Sequence, residues 1–256
     1  MGYVKTAAEL ERLQGLLAAP AFLNGESLTV EFTTDPEVVK RLLPPPLVPA
    51  AEPTGMVTIG AYQGNGIGDY AGGSLYLSAR HGEVEGGYPI TLWMDSEASV
   101  HYGRELFGEA KKFGSCRIYR GRERSVASIR RGGAYIRLRA ENLGPDQGAA
   151  EVERTAFNYR SRTAADGVGL EAPAQLTHTV FRSRLRSLRV GTGTIEMRGS
   201  ANDPVEEIPI RSVGRATFTE LDTTASCRVA ATVPADEFLP YHYGRVDDWA
   251  TLDTSR

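Results

Sequence analysis

Between Thr6 and Leu17 the apolar positions Ala7, Leu10, Leu13, Leu16 and Leu17 recur at helical spacing with charge between them, which predicts an amphipathic helix. A second, shorter helix is announced by Thr34-Asp35-Pro36. Asp35 can cap it, Pro36 suits its first turn, Val38, Val39, Leu42 and Leu43 supply a buried side, and Pro44-Pro45-Pro46 ends it after about two turns. From Met56 the period changes to two. Met56–Tyr62, Ser74–Ser78 and Tyr88–Met94 read as strands separated by glycine-rich turns, as antiparallel hairpins require. One helix interrupts them, with Ser96 as cap, Glu97 in the first turn, Val100 and Leu106 on its apolar side and Gly108 at its end. Arg117–Arg120, Ser125–Ile129, Tyr135–Arg139, Leu176–Val190, Thr192–Met197 and Ala225–Val233 continue the alternating or β-branched texture. Residues 163–173 read as a long hairpin loop. The pattern predicts a mainly antiparallel β architecture with a few short helices, and the simplest organisation is one domain over residues 1–256.

Composition changes this picture little. The 256 residues are 41% hydrophobic and 24% charged, with a net charge of −3, as in ordinary soluble globular chains. No stretch has the roughly 18 apolar residues of a membrane span, and no basic segment leads into an apolar one at the N-terminus, so a cytoplasmic protein without a membrane partner is expected. Cys116 and Cys227 are too few for a disulfide framework and read as two buried thiols. The histidines His81, His101, His178 and His242 match no metal spacing, so no metal is expected. Arg182, Arg184 and Arg186 share one strand face. Without a recognition motif they predict a solvated or subunit-interface face paired with acids, and not a nucleic-acid partner. Gly64-Asn65-Gly66-Ile67-Gly68 leads into another strand and not a helix, so it is a β-turn and not a phosphate loop. Glu97, His101 and Glu105 stand at successive four-residue spacings beside Arg104, which predicts a salt-bridged helix face.

The candidate chemistry lies at Lys111-Lys112, between Gly108-Glu109-Ala110 and Phe113-Gly114. Two adjacent ammonium groups repel, and burial disfavours the charged form, so both effects favour a free, nucleophilic amine. In an extended segment neighbouring side chains project to opposite sides, so one lysine can enter a cavity only if the other turns away.

Around this pair run Met94-Asp95-Ser96-Glu97, Gly103-Arg104-Glu105-Leu106 and then Lys111-Lys112. Upstream stand Pro20-Ala21-Phe22, Thr34-Asp35 and Leu42-Leu43-Pro44-Pro45-Pro46-Leu47, and downstream Glu207-Ile208-Pro209-Ile210 and Pro234-Ala235-Asp236. Together these resemble the acetoacetate decarboxylase superfamily over most of the chain. The Gly-Arg-Glu to Lys-Lys block is the most specific part.

The resemblance implies an α+β, mainly antiparallel β fold: a cone- or barrel-like sheet enclosing the lysine, assembled as a homo-oligomer. It also implies Schiff-base chemistry on a small-molecule oxo acid without a metal or organic cofactor. That family is the standard illustration of a lysine activated by a neighbouring cation or by desolvation, so the mechanism comes with the resemblance and not from spacing. Carried over, it makes Lys111 the nucleophile and Lys112 its catalytic neighbour. Tyr241 and Tyr243 stand as proton shuttles, and Trp93, Met94, Glu97, Arg104 and Phe113 as substrate-binding residues. The family's decarboxylating members are known for an arginine and two pocket glutamates where this chain has Gly25, Thr58 and Gly72. Their loss implies a lyase of aldol, dehydration or other carbon–carbon chemistry on a substrate other than acetoacetate. The alternatives are decarboxylation of a β-oxo acid and a non-catalytic small-molecule-binding barrel.

Overall fold

The computed structural model describes residues 2–246. Ahead of the sheet, α1 (Ala7–Ala18) starts at a capping box: the Thr6 amide donates to Glu9 Oε2 at 2.9 Å and the Glu9 amide to Thr6 Oγ1 at 3.4 Å. None of its residues is buried among the described residues, and Leu10, Leu16 and Leu17 of its apolar stripe are exposed. The next helix, α2 (Pro36–Leu42), starts where Asp35 accepts from the Glu37 amide at 3.0 Å and buries Val39. Beyond it the Tyr159 hydroxyl donates to the Pro44 and Pro45 carbonyls at 3.0 Å, tying the proline stop to the sheet.

Twelve strands form one sheet: β1 (Ala21–Thr33), β2 (Val48–Pro49), β3 (Thr54–Gly64), β4 (Gly68–His81), β5 (Val84–Met94), β6 (Lys111–Phe113), β7 (Ser115–Arg120), β8 (Ser125–Arg131), β9 (Ala134–Glu141), β10 (Ala150–Arg160), β11 (Ala174–Arg198) and β12 (Ser212–Val233). Neighbours follow the order β10-β5-β4-β3-β1-β12-β11-β9-β8-β7, and β10 also pairs with β11. That extra pairing closes seven strands into a barrel, because a sheet whose first strand meets a later one has no edge there. The β10–β11 seam is long and antiparallel, from Ala150 opposite Leu185 to Arg160 opposite Gln175. The β10–β5 seam is short and parallel, with Ala156 opposite Gly87.

Strand β11 is too long for the barrel wall. Its last part, from Thr192, leaves the barrel to pair with β9, and β9-β8-β7 forms an arm that lies against the outside of the barrel. Alternation then gives the barrel strands two different faces. Val57 and Ile59 of β3 and Leu75 and Leu77 of β4 face the arm and pack with Ala127, Ile129, Ile136 and Leu138 in the main core. The alternate residues Met56, Thr58, Ser74 and Tyr76 face inward and line a cavity. The barrel interior is therefore a site and the core lies outside it.

The turn between β3 and β4 is the glycine-rich segment, with Gly64 opposite Gly68. Residues 161–173 form the long hairpin loop between β10 and β11. The two strands expected at Leu176–Val190 and Thr192–Met197 are one continuous strand, because Gly191 sits opposite Ala216 without breaking the ladder. Strands β1 and β10 and the first half of β12 carry no expectation from patterning and complete the barrel. Among the described residues no helix is long and apolar enough to cross a membrane.

Candidate active site

Ser96 opens the interrupting helix, α3 (Glu97–Tyr102), accepting from the Ser99 amide at 3.4 Å. It passes into a π-helical turn, Gly103–Phe107, and ends at Gly108 in the left-handed conformation with φ 79°. A π-helical turn holds one residue more than an α-helical one and so changes the direction in which the chain leaves the helix. The chain leaving Gly108 runs through Glu109 into β6, which pairs in parallel with β5 and sets Lys111 beside Leu92 and Lys112 beside Trp93.

This register decides the division between the lysines. Lys111 projects with Leu92 and Met94 into the barrel, and its Nζ lies 2.8 Å from Glu109 Oε2, with both side chains 6% exposed. Lys112 projects with Trp93 to the opposite side. There its Nζ donates to Asp203 Oδ1 at 2.9 Å and to the Asn202 carbonyl at 3.0 Å. The same Asp203 accepts from Trp93 Nε1 at 3.2 Å and faces Arg131 Nε at 3.2 Å. The expected mutual repulsion of the two ammonium groups is thus replaced by two separate buried ion pairs.

Gly103 makes the Lys111–Glu109 contact feasible. A Cβ there would stand 2.5 Å from Lys111 Cδ and 2.7 Å from Nζ, with Glu109 Oε2 closer still. Tyr70 lies with its ring centroid 5.9 Å from Lys111 Nζ. The cavity, about 360 Å³, is of ordinary ligand-site size. Phe22, Tyr62, Tyr70, Tyr102 and Phe107 cluster at the lysine end. Hydroxyls of Ser27, Thr29, Thr58 and Ser74 line the wall, with Thr29 donating to Thr58 at 2.8 Å. Burial pushes the Tyr62 phenol up to about 12, and burial followed by the Glu109 carboxylate raises Tyr76. Both phenols stay protonated at neutral pH and keep an O–H available to a ligand.

Where the resemblance implied missing charges, the space is filled. At Gly25 a Cβ would meet Tyr62 Cδ1 at 2.7 Å, and at Gly72 the Met94 sulfur occupies the position outright. Thr58 is taken by its bond to Thr29.

Of the other residues singled out in the sequence, Met94 lines the cavity. Trp93 is fully buried on the core side, bound to Asp203. Phe113 is 57% exposed at the end of β6, and Glu97 is exposed on α3. Arg104 lines a separate outer pocket with Arg160, Ser161 and His242, on the far side of Glu109. Tyr241 and Tyr243 lie on α4 (Ala235–Val246), where Tyr241 stacks on Phe238 at 6.2 Å and Tyr243 meets the edge of His242 at 5.1 Å. Neither lines the Lys111 cavity, and nor do Trp93, Glu97, Arg104 and Phe113. The short strand β6 turns alternate residues to the core, and α4 packs on the outside of the barrel. Glu109 is a site residue that patterning and resemblance both missed. Its signal is its place two residues before Lys111 in an extended segment, which puts both on one face.

A closed barrel holding one buried lysine–carboxylate pair at the sealed end of an apolar, hydroxyl-lined cavity defines a small-molecule site with a built-in amine. The model of the acetoacetate decarboxylase family matches residues 11–236, and the chain belongs to that family. Acetoacetate decarboxylase of Streptomyces nogalater is 25% identical over 226 residues, covering 81% of this chain and 90% of its own. The crystal structure of acetoacetate decarboxylase from Legionella pneumophila superposes with a TM-score of 0.73 at 20% identity, over 83% of this chain and 87% of that one. The enduracididine biosynthesis enzyme MppR, complexed with the condensation product of pyruvate and imidazole 4-carboxaldehyde, superposes with a TM-score of 0.70 at 15% identity, over 82% and 88%. The named relatives are enzymes, and the shared fold is the barrel.

Proposed function

We propose that the protein is a cofactor-independent lyase that forms a Schiff base between Lys111 and the carbonyl of an oxo acid or related compound. The observation that carries this reading is the Lys111–Glu109 contact of 2.8 Å inside the cavity. An ammonium is not a nucleophile, and Glu109 is placed to accept its proton. The freed amine adds to the carbonyl carbon. The resulting carbinolamine loses its hydroxyl as water, for which Glu109 returns the proton, and a protonated imine remains. The imine withdraws the electron pair released when a bond to the neighbouring carbon breaks, which serves decarboxylation, aldol cleavage and dehydration alike. Tyr76 and Tyr70 line the same cavity as phenol donors to developing negative charge.

Chemistry other than acetoacetate decarboxylation is favoured by Tyr62 over Gly25 and Met94 over Gly72, which leave no room there for charged groups. Condensation chemistry fits the complex of MppR with the condensation product of pyruvate and imidazole 4-carboxaldehyde. Decarboxylation of a β-oxo acid is the second reading, favoured by the names of the curated relatives.

Borohydride trapping tests the reading. With acetoacetate, pyruvate or a longer oxo acid, reduction should add the substrate's mass to Lys111 in the native protein. Lys111→Ala should give no adduct and no turnover, and Lys112→Ala should keep an adduct in whatever fraction folds. An adduct that survives Lys111→Ala and is lost in Lys112→Ala would move the nucleophile to Lys112. Absence of any adduct would leave a non-catalytic binding barrel. Release of carbon dioxide from acetoacetate should be slow, and rapid acetone formation would overturn the reading of Gly25, Thr58 and Gly72.

A further inference from the structure

Resting on Lys111 as the imine-forming amine, we propose that Arg154 binds the substrate's carboxylate. The substrate is then an oxo acid whose carboxylate stands several bonds away from the reacting carbonyl, across an apolar body.

The cavity has two unlike ends. Aromatic rings close the lysine end, and the other end is lined by the exposed residues Gln147, Arg154 and Arg215. Of the cations facing the cavity, Lys111 has Glu109 and Arg215 has Glu31 at 3.0 Å. Arg154 has no carboxylate partner among the described residues; its contact is Nη1 to Met56 Sδ at 3.5 Å. Arg154 is on β10 and Met56 on β3, with β5 and β4 between them in the wall. The guanidinium therefore reaches across the opening toward the facing wall instead of lying along its own strand. An uncompensated, extended guanidinium at the entrance of an apolar cavity attracts anions and offers a carboxylate two parallel N–H donors.

Register gives the spacing. Lys111 stands beside Leu92, and Leu92 is opposite Ser74. Met56, which Arg154 touches, is opposite Tyr76, the next inward-facing residue of β4. One such step along a strand is roughly 7 Å between backbone positions, and the two charged heads point to different neighbours, Lys111 Nζ to the Tyr70 ring and Arg154 to Met56. Tyr76 lies between the two ends electrostatically as well: Glu109 raises its phenol and Arg154 lowers it. In an α-oxo acid the carbonyl and carboxylate carbons are bonded to each other, so the molecule cannot meet Lys111 and Arg154 together. A chain or ring of several carbons between them can, and Leu92, Met94, Phe181 and Leu185 line the space it would fill.

The test compares borohydride trapping at Lys111 with 6-oxoheptanoate and with its neutral amide, which differ only in charge at the remote end. The native protein should label about tenfold faster with the acid. Arg154→Met should bring the acid-to-amide ratio to about one, and Arg154→Lys should retain part of the preference. Arg162→Met, an exposed arginine of the hairpin loop paired with Glu171, should keep the native ratio. If Lys111 is labelled but Arg154→Met keeps the native ratio, the carboxylate site is wrong and the imine reading stands. If neither probe labels Lys111 in the native protein, the imine reading fails and this inference fails with it.

Discussion

Three residues decide whether the amine works: Gly103, Glu109 and Lys111. Gly103 is needed not for a special φ but for absent volume, since Lys111 and Glu109 occupy the space of its Cβ. Gly103→Ala should therefore push the pair apart. The expected outcome is a rate of imine formation at least about tenfold lower with the fold retained, read by trapping alongside circular dichroism. Glu109→Gln keeps the shape and removes the proton acceptor. General acid–base groups contribute about 10²–10⁴-fold, and a loss in that range in the rate of adduct formation is expected. A full native rate in Glu109→Gln would exclude the carboxylate from proton transfer.

At the scale of elements, the turn carrying Asp203 fastens three strands. It takes Lys112 from β6, Trp93 from β5 and Arg131 from β8 onto one buried carboxylate. Asp203→Asn leaves two cations facing a neutral amide, and breaking a buried pair from one side costs about 3–5 kcal/mol. A comparable drop in unfolding free energy by denaturant titration is the expected result, with Lys111 chemistry lost only as far as β6 loosens. A side-chain contact between β4 and β11, which are not neighbours in the sheet, has its own pH dependence. His178 Nε2 lies 2.9 Å from His81 Nδ1, and burial, then Arg228 and His81, lowers His178 to about 4. A histidine depressed in the fold binds its proton more weakly than the unfolded chain does. Its contribution to stability is present above about pH 6.5 and is lost as pH falls toward 4. His178→Gln should flatten the fall in melting temperature over that window, although His242, also lowered by burial, keeps part of it.

At the scale of the whole molecule, the barrel and the arm β7-β8-β9 are two layers that share one core. They pack tightly at Gly73, where a Cβ would meet Ile129 Cγ2 at 2.8 Å and Ile59 Cγ1 at 2.9 Å. Overpacking of a filled core costs about 1–3 kcal/mol, so Gly73→Val should lower stability by that amount. Because Gly72 and Ser74 face the cavity on the same strand, it should also shift the lysine wall. Thermal unfolding together with the trapping rate checks both effects.

Much of this architecture was legible in the chain. The caps at Thr6, Asp35 and Ser96, the hairpin at Gly64–Gly68 and the alternation of Val57, Ile59, Leu75 and Leu77 are local signals, because hydrogen-bond partners and side-chain faces there depend on neighbours a few residues away. So does the opposition of Lys111 and Lys112. Strand β1 was harder to read, since only Leu28, Val30 and Phe32 face the core while Ser27 and Thr29 face the cavity, and β10 begins with charged residues. Which alternating face met the core and which lined the site depended on where β10 closed against β5, a parallel pairing between strands far apart in sequence. The same closure brought Arg154 across to Met56 and left Trp93, Phe113, Tyr241 and Tyr243 outside the cavity. The partners of each ammonium group, Glu109 for Lys111 and Asp203 for Lys112, came from the segment that leaves the π-helical turn and from the turn that follows β11. A lysine pair states which atoms carry charge, but only the folded chain decides which carboxylate each one meets.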